Sequence, residues 1–199
     1  MVMRPLILAF MLALAVANAA QASSWTAAQS ADLDRISAAL NSIKTMRGGF
    51  TQIGPQGQVD QGKFYILKPG KIRFDYDPPN PTLVIGDGIG IAVYNTKLNT
   101  ANRYPLNGTP LNLLLSDHLN LKRSANVLDV EHSPGELIVK ARANDRNATG
   151  NITIVFADPG LELRQWTIVD AQGLPTTVSL NNVQQGVDLP ESAFKINHK

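Results

Sequence analysis

The sequence predicts a mainly β protein, a mostly antiparallel sheet with helices over its apolar face. Three observations predict it. Turn signals recur along the chain, among them Gly54-Pro55, Pro69-Gly70, Pro78-Pro79-Asn80-Pro81, Asp87-Gly88, Asn107-Gly108, Pro134-Gly135, Pro159-Gly160 and Gln172-Gly173, with short β-prone runs between them. One run, Lys71–Asp77, alternates strictly, with Ile72, Phe74 and Tyr76 on one face and charged residues on the other. That is the period of a half-buried antiparallel strand. Two segments read as helices instead, one near the start of the chain by its apolar period and one in its middle by a Thr-Pro opening and four Leu.

The elements follow in order. Residues 1–22 carry one charge, Arg4, then an apolar run from Leu6 to Ala17 and a small-x-small end, Ala20-Gln21-Ala22. This is the layout of a cleavable export signal; the run is about 12 residues, and a membrane span needs roughly 20. Residues 23–199 read as one domain, with no linker and no internal repeat. From Ala27 to about Lys44, Leu33, Ile36, Leu40 and Ile43 form one helical stripe. Ser30 is its expected cap, Asp32 and Asp34 its early acids, Lys44 and Arg47 its late bases, and Gly48-Gly49 its stop.

Strands are expected at Lys63–Lys68, Lys71–Asp77, Thr82–Ile85, Ile89–Asn95, Lys97–Tyr104, Asn126–Glu131, Glu136–Arg142, Asn151–Ala157, Leu161–Asp170, Thr176–Val183 and Phe194–Ile196. Their spacing reads as a meandering sandwich or barrel. Thr109-Pro110 opens a short helix bearing Leu111, Leu113, Leu114 and Leu115. It is too apolar to stand exposed and either plugs a core or lines a pocket.

Several chemistries drop out. With no Cys there is no disulfide, thiolate metal site, Cys nucleophile or lipid-modified Cys. A net charge of +2 and 6% aromatic residues speak against a nucleic-acid binder. His118, His132 and His198 fall in separate segments without metal-ligand spacing and read as surface residues. Asp75 and Asp77 beside Arg73 read as a solvated face, and Gly86-Asp87-Gly88-Ile89-Gly90 as a hairpin turn, since no helix follows it. No nucleophile–base pair stands out, so no enzyme, cofactor or metal is expected. What remains is a cup with an apolar lining and helices at its mouth, suited to a lipid or other hydrophobic ligand. Periodicity alone does not separate a hollow cup from a filled core.

Phe50-Thr51-Gln52, Gln61-Gly62-Lys63-Phe64-Tyr65, Lys68-Pro69-Gly70-Lys71-Ile72-Arg73-Phe74-Asp75-Tyr76, Asp87-Gly88, Val93-Tyr94, Thr109-Pro110-Leu111 and Leu163-Arg164-Gln165-Trp166 before Asp170 occur in that order, with a Phe just after Leu189-Pro190. In order and spacing the chain resembles the periplasmic outer-membrane lipoprotein carriers, the LolA family. The resemblance implies an unclosed antiparallel β-barrel, a half-barrel covered by a helical lid. It implies a monomeric periplasmic carrier. Such a carrier takes acylated lipoprotein cargo from an inner-membrane ABC transporter and delivers it to an outer-membrane acceptor. A periplasmic carrier or sensor of another hydrophobic lipid is the alternative. Phase and resemblance together place Leu33, Ile36, Leu40, Phe64, Ile66, Ile72, Phe74, Tyr76, Ile91, Val93, Leu111, Leu114, Leu115 and Trp166 in the apolar cavity and lid. Where many members carry Arg hydrogen-bonded to the lid, this chain has Lys68, expected in the same lid-holding role; Arg73 is expected at the surface. The anchored acceptor of that pathway is acylated on an N-terminal Cys, which this sequence lacks.

Overall fold

The computed structural model describes residues 25–145 and 148–196. The expected export signal at 1–22 and His198 lie outside them. The chain opens with α1 (Ala27–Ser42) and runs through β1 (Thr45–Ile53), β2 (Val59–Leu67), β3 (Lys71–Tyr76), β4 (Thr82–Asp87), β5 (Gly90–Asn95) and β6 (Thr100–Pro105). A crossover holds a 3-10 turn (Leu106–Gly108) and two short helices, α2 (Leu111–Leu115) and α3 (Leu121–Ser124). Then come β7 (Ala125–Ser133), β8 (Glu136–Ala143), β9 (Asn151–Ala157), β10 (Glu162–Val169), β11 (Pro175–Gln185) and a last 3-10 turn (Glu191–Phe194).

All eleven strands join one antiparallel sheet in the order β6-β5-β4-β3-β2-β1-β11-β10-β9-β8-β7. The edges β6 and β7 do not pair, so the barrel stays unclosed, and the crossover carries the chain from one edge to the other. The sheet is strongly curled. Phe74 on β3 and Trp166 on β10 are four strands apart, a flat distance of about 19 Å. Their ring centroids lie 6.2 Å apart. The curl makes a trough whose concave side carries the apolar alternate residues.

Two glycines make the trough floor possible. A Cβ on Gly48 would sit 2.8 Å from the Phe64 ring and 2.7 Å from the Asn181 carbonyl oxygen. One on Gly62 would sit 2.8 Å from the Phe50 ring. Bare backbone at these points lets both rings lie against the neighbouring strand. Gly48-Gly49 therefore does not stop a helix, as the sequence had suggested, but lies inside β1.

Other elements differ in instructive ways. Thr26, and not Ser30, caps α1: its hydroxyl accepts from the Gln29 N–H at 3.2 Å, and the Gln29 side chain accepts from the Thr26 N–H at 3.1 Å. This is a capping box. The helix ends at Ser42, so Lys44 and Arg47 lie beyond its last turn. In the crossover Pro110 takes the cap position of α2, and the Thr109 hydroxyl turns back to the Leu106 carbonyl at 2.9 Å. The strand expected at Lys97–Tyr104 begins only at Thr100, after a turn. No strand forms at Phe194–Ile196; the 3-10 turn there packs against β3 and β4 on the convex side. Arg73 is not a free surface residue: it donates to the Ala193 carbonyl at 3.0 Å, Lys71 pairs with Glu191 at 3.0 Å, and Phe194 is buried. Gly86–Gly90 does form a turn, with the Asp87 carboxylate accepting from the Ile89 and Gly90 N–H groups, both at 2.9 Å.

Candidate functional site: an apolar trough under a latched lid

Cross-strand register assembles the trough in rows. One row runs Met46, Ile66, Ile72, Gly86 and Ile91; the next runs Phe64, Phe74, Val84 and Val93. On the other half Val178, Trp166, Ile154, Val139 and Val130 continue the floor. Phe74 is the hub of the aromatic set, with Phe50 at 4.9 Å, Phe64 at 6.4 Å and Trp166 at 6.2 Å between ring centroids. The Phe50 and Trp166 contacts are edge-to-face and the Phe64 contact tilted; aromatic pairs of this kind add about 0.5–1.5 kcal/mol each beyond their buried area. At the end of β3, Tyr76 donates its hydroxyl to Gln52 at 2.7 Å, and burial pushes its phenol up to about 12.

The helices close on this floor. α1 presents Leu33, Ile36 and Leu40, all fully buried, and α2 adds Leu111, Leu113, Leu114 and Leu115. The structure brings all fourteen cavity and lid residues named from the sequence into one continuous apolar cluster, Tyr76 and Val93 half-buried and the rest buried. Their side chains pack against one another between lid and sheet. Sequence reasoning missed Met46, Phe50, Leu121, Ile154 and Phe156, which join the same cluster. Phe50 and Met46 escape it because they lie in β1, whose two glycines resemble a helix stop. Ile154 and Phe156 lie in a run apolar on both faces (Val155 is also buried), where alternation gives no phase. An outside cleft of about 450 Å³ is bordered by the polar and charged side chains of Arg47, Lys63, Asp77 and Asn182 together with Tyr65, and shares no side chain with the cluster.

Polar contacts fasten the lid. The Lys68 ammonium donates to the Leu40 carbonyl at 2.7 Å and to the Ser116 carbonyl at 3.0 Å. Leu40 lies in the last turn of α1, and Ser116 is the C-terminal cap of α2. Helix ends leave carbonyls unpaired and partly negative. One cation thus serves two helix termini. Burial, reinforced by Lys44 and opposed by Asp117, brings the Lys68 ammonium down to about 8. Nearby, the Gly70 N–H donates to the Leu115 carbonyl at 3.0 Å. The Asn41 amide donates to the Leu119 carbonyl and accepts from the Leu119 N–H, both at 2.8 Å. The Ser37 hydroxyl accepts from the Leu121 N–H at 3.1 Å, and Lys122 pairs with Asp34 at 2.6 Å. α1 and the crossover therefore move, if they move, as a bonded unit.

Among the described residues no group of three or more His, Cys, Asp or Glu side chains could hold a metal, and no helix is long and apolar enough to cross a membrane. Nothing in the trough offers a nucleophile beside a base. The arrangement can do one thing well: hide apolar groups from water behind a polar-fastened cover.

A curled, unclosed antiparallel sheet with a helix-capped apolar face defines a half-barrel of the lidded kind. Residues 41–197 match the family described as outer membrane lipoprotein carrier protein LolA, and the chain belongs to that family. The outer-membrane lipoprotein carrier protein of Dechloromonas aromatica is 25% identical over 173 residues, covering 82% of this chain and 82% of that protein. That of Bordetella avium is 28% identical over 170 residues, covering 81% of this chain and 80% of its own. Among solved structures, a DUF1329 family protein from Desulfovibrio piger shares the fold. Its TM-score is 0.52 at 12% identity, with 83% of this chain and 95% of that one covered.

Proposed function

We propose that this chain is a periplasmic carrier that shields the acyl chains of lipoproteins and passes them from an inner-membrane ABC transporter to an outer-membrane acceptor. It works as a monomer, without cofactor, metal or nucleic acid, and catalyses no reaction. Family membership supports the cargo class. The observation that carries the reading is the single apolar cluster shared between sheet and lid, with the lid also fastened by hydrogen bonds from Lys68.

The energetics suit a shuttle. Each methylene taken from water contributes about 0.8 kcal/mol, so an acyl chain of ordinary length gains roughly 12 kcal/mol on entering. Part of that gain is offset because the trough side chains must first separate from the lid. The fourteen apolar residues named above contact the chain, and Lys68 is the latch that resets when it leaves. Net affinity is then a difference, which keeps release possible.

The test is to express the chain with its leader in a bacterium, purify it from the periplasm, and identify bound species by intact mass spectrometry. Acylated proteins in complex support the reading. Free lipids alone, across growth conditions, support a carrier or sensor of another lipid instead. Neither class of ligand, in wild type and in a Lys68→Met variant, refutes both.

A further inference from the structure

α1 has a second fastening, at its N-terminal half, made of titratable groups. Asp32 on α1 is buried at 6% exposure, an unusual place for a carboxylate. It meets the Arg35 guanidinium at 3.0 Å and the His132 Nε2 at 2.9 Å. The other arm of Arg35 reaches Asp158 at 2.8 Å, and His132 Nδ1 lies 3.7 Å from the same carboxylate. His132 stands at the end of β7, and Asp158 in the turn between β9 and β10. Three elements far apart in sequence thus meet in one quartet. His132, read from the sequence as an ordinary surface residue, is half-exposed but joined to α1.

Both ring nitrogens of His132 face carboxylate oxygens. A neutral imidazole has one N–H, so if it donates to Asp32 it leaves a lone pair facing Asp158. An imidazolium donates to Asp32 and sets its second N–H as a charge partner 3.7 Å from Asp158. With neutral His132 the quartet holds two negative charges and one positive; protonation balances it. Burial, the largest effect on Asp32, pushes its carboxyl up, but the hydrogen bonds from His132 and Arg35 outweigh it, and the carboxyl stays below its ordinary value. Asp32 and Arg35 face His132 from α1, and Asp158 faces it from the β9–β10 turn. On its own hairpin, Glu131 and Glu136 are exposed.

We propose that the Asp32–Arg35–His132–Asp158 quartet is a proton-responsive clasp on the lid, tightening α1 against β7 and the β9–β10 turn when His132 takes up a proton. Lys68 holds the C-terminal end of α1, and the clasp holds the other. Histidine is the side chain that ordinarily titrates between pH 5 and 8, so the lid opens less often at the acidic end of that range. The proposal deepens the carrier reading and rests on it only for its consequence, slower loading and release in acid.

The chain has no cysteine, so one introduced cysteine is a unique probe. Ile36→Cys places a thiol under the lid, and Ala38→Cys places one on the exposed side of the same helix. The ratio of their labelling rates with a water-soluble thiol reagent cancels the reagent's own pH dependence. Protection of the buried thiol is expected to rise about two- to five-fold from pH 8 to pH 5.5, the modest gain of a half-exposed ion pair. In a His132→Gln background it should stay flat. A flat profile with His132 present, or an unchanged slope in the His132→Gln background, overturns the clasp. This assay contains no cargo, so that failure leaves the carrier reading standing. Conversely, an intact clasp with no uptake of a fluorescent sixteen-carbon fatty acid or acylated peptide at any pH counts against the carrier reading alone.

Discussion

Replacing Lys68 with Met tests the latch most directly. Met keeps an unbranched chain of similar length but removes the ammonium and both bonds to Leu40 and Ser116. Hydrogen bonds to a charged donor are each worth about 1.5–3 kcal/mol. Against them stands the cost of burying the charge. The fall from 10.5 to about 8 corresponds to about 3 kcal/mol. The two nearly offset, leaving a latch worth about 1–2 kcal/mol. Lys68→Met should therefore change global stability at pH 7 by no more than about 2 kcal/mol in urea unfolding, while lid opening, read by thiol labelling at Ile36→Cys, rises about ten-fold. The pH dependence has a definite sign. Because the folded-state value lies below the unfolded one, between pH 8 and 10.5 the unfolded chain keeps a proton that the folded chain has lost. Stability from Lys68 is fully present above about 10.5 and lost as pH falls through about 8. Wild type should gain on Lys68→Met as pH rises across that window. A loss above about 3 kcal/mol at pH 7 with unchanged labelling, or a difference that does not vary with pH, would show the offsetting account to be wrong.

Other outcomes follow from the same structure. Lys68→Arg keeps a permanent, more weakly hydrated charge, so the lid should open less often and release bound lipid more slowly in a stopped-flow transfer assay. Gly48→Ala drives a methyl into the Phe64 ring and the Asn181 carbonyl, and should destabilise by about 1–3 kcal/mol in urea titration. Leu114→Ala empties a fully buried site in α2 and should cost about 2–5 kcal/mol, accompanied by stronger binding of an apolar dye. Phe194→Ala should lower the melting temperature without altering protection of the thiol at position 36, because its turn packs on the opposite face of the sheet.

The fold was legible where side chains alternate. Lys71–Tyr76 shows both its faces in sequence, and the structure uses them: Ile72 and Phe74 inward, Arg73 outward onto the last turn. β1 was not legible, because Gly48-Gly49 looks like the end of a helix. Its real cause lies on the neighbouring strands: the Phe64 ring and the Asn181 carbonyl crowd Gly48, and the Asn181 side chain crowds Gly49. The Thr26–Gln29 capping box could have been found from its spacing; Ser30, also a good capping residue, competed with it. The apolar trough residues and Lys68 followed from phase and resemblance, whereas the other polar fastenings did not. Asn41, Ser37 and His132 are ordinary residue types, and only the fold places them opposite Leu119, Leu121 and Asp32.

The crossover between the two sheet edges also dictates how the chain must assemble. Hairpins build β1 to β6 and β7 to β11 from near neighbours, but the seam between β1 and β11 joins residues roughly 130 apart. Closing so long a loop costs about 2 kcal/mol more entropy than closing a ten-residue hairpin. A distant pairing of this kind forms more slowly than the local hairpins on either side of it. Until the seam forms, each half shows an open apolar face, and α1 and the crossover have no completed floor to cover. The interval before that closure is when this chain is most exposed to aggregation, and the conditions that shorten it should govern its yield on refolding.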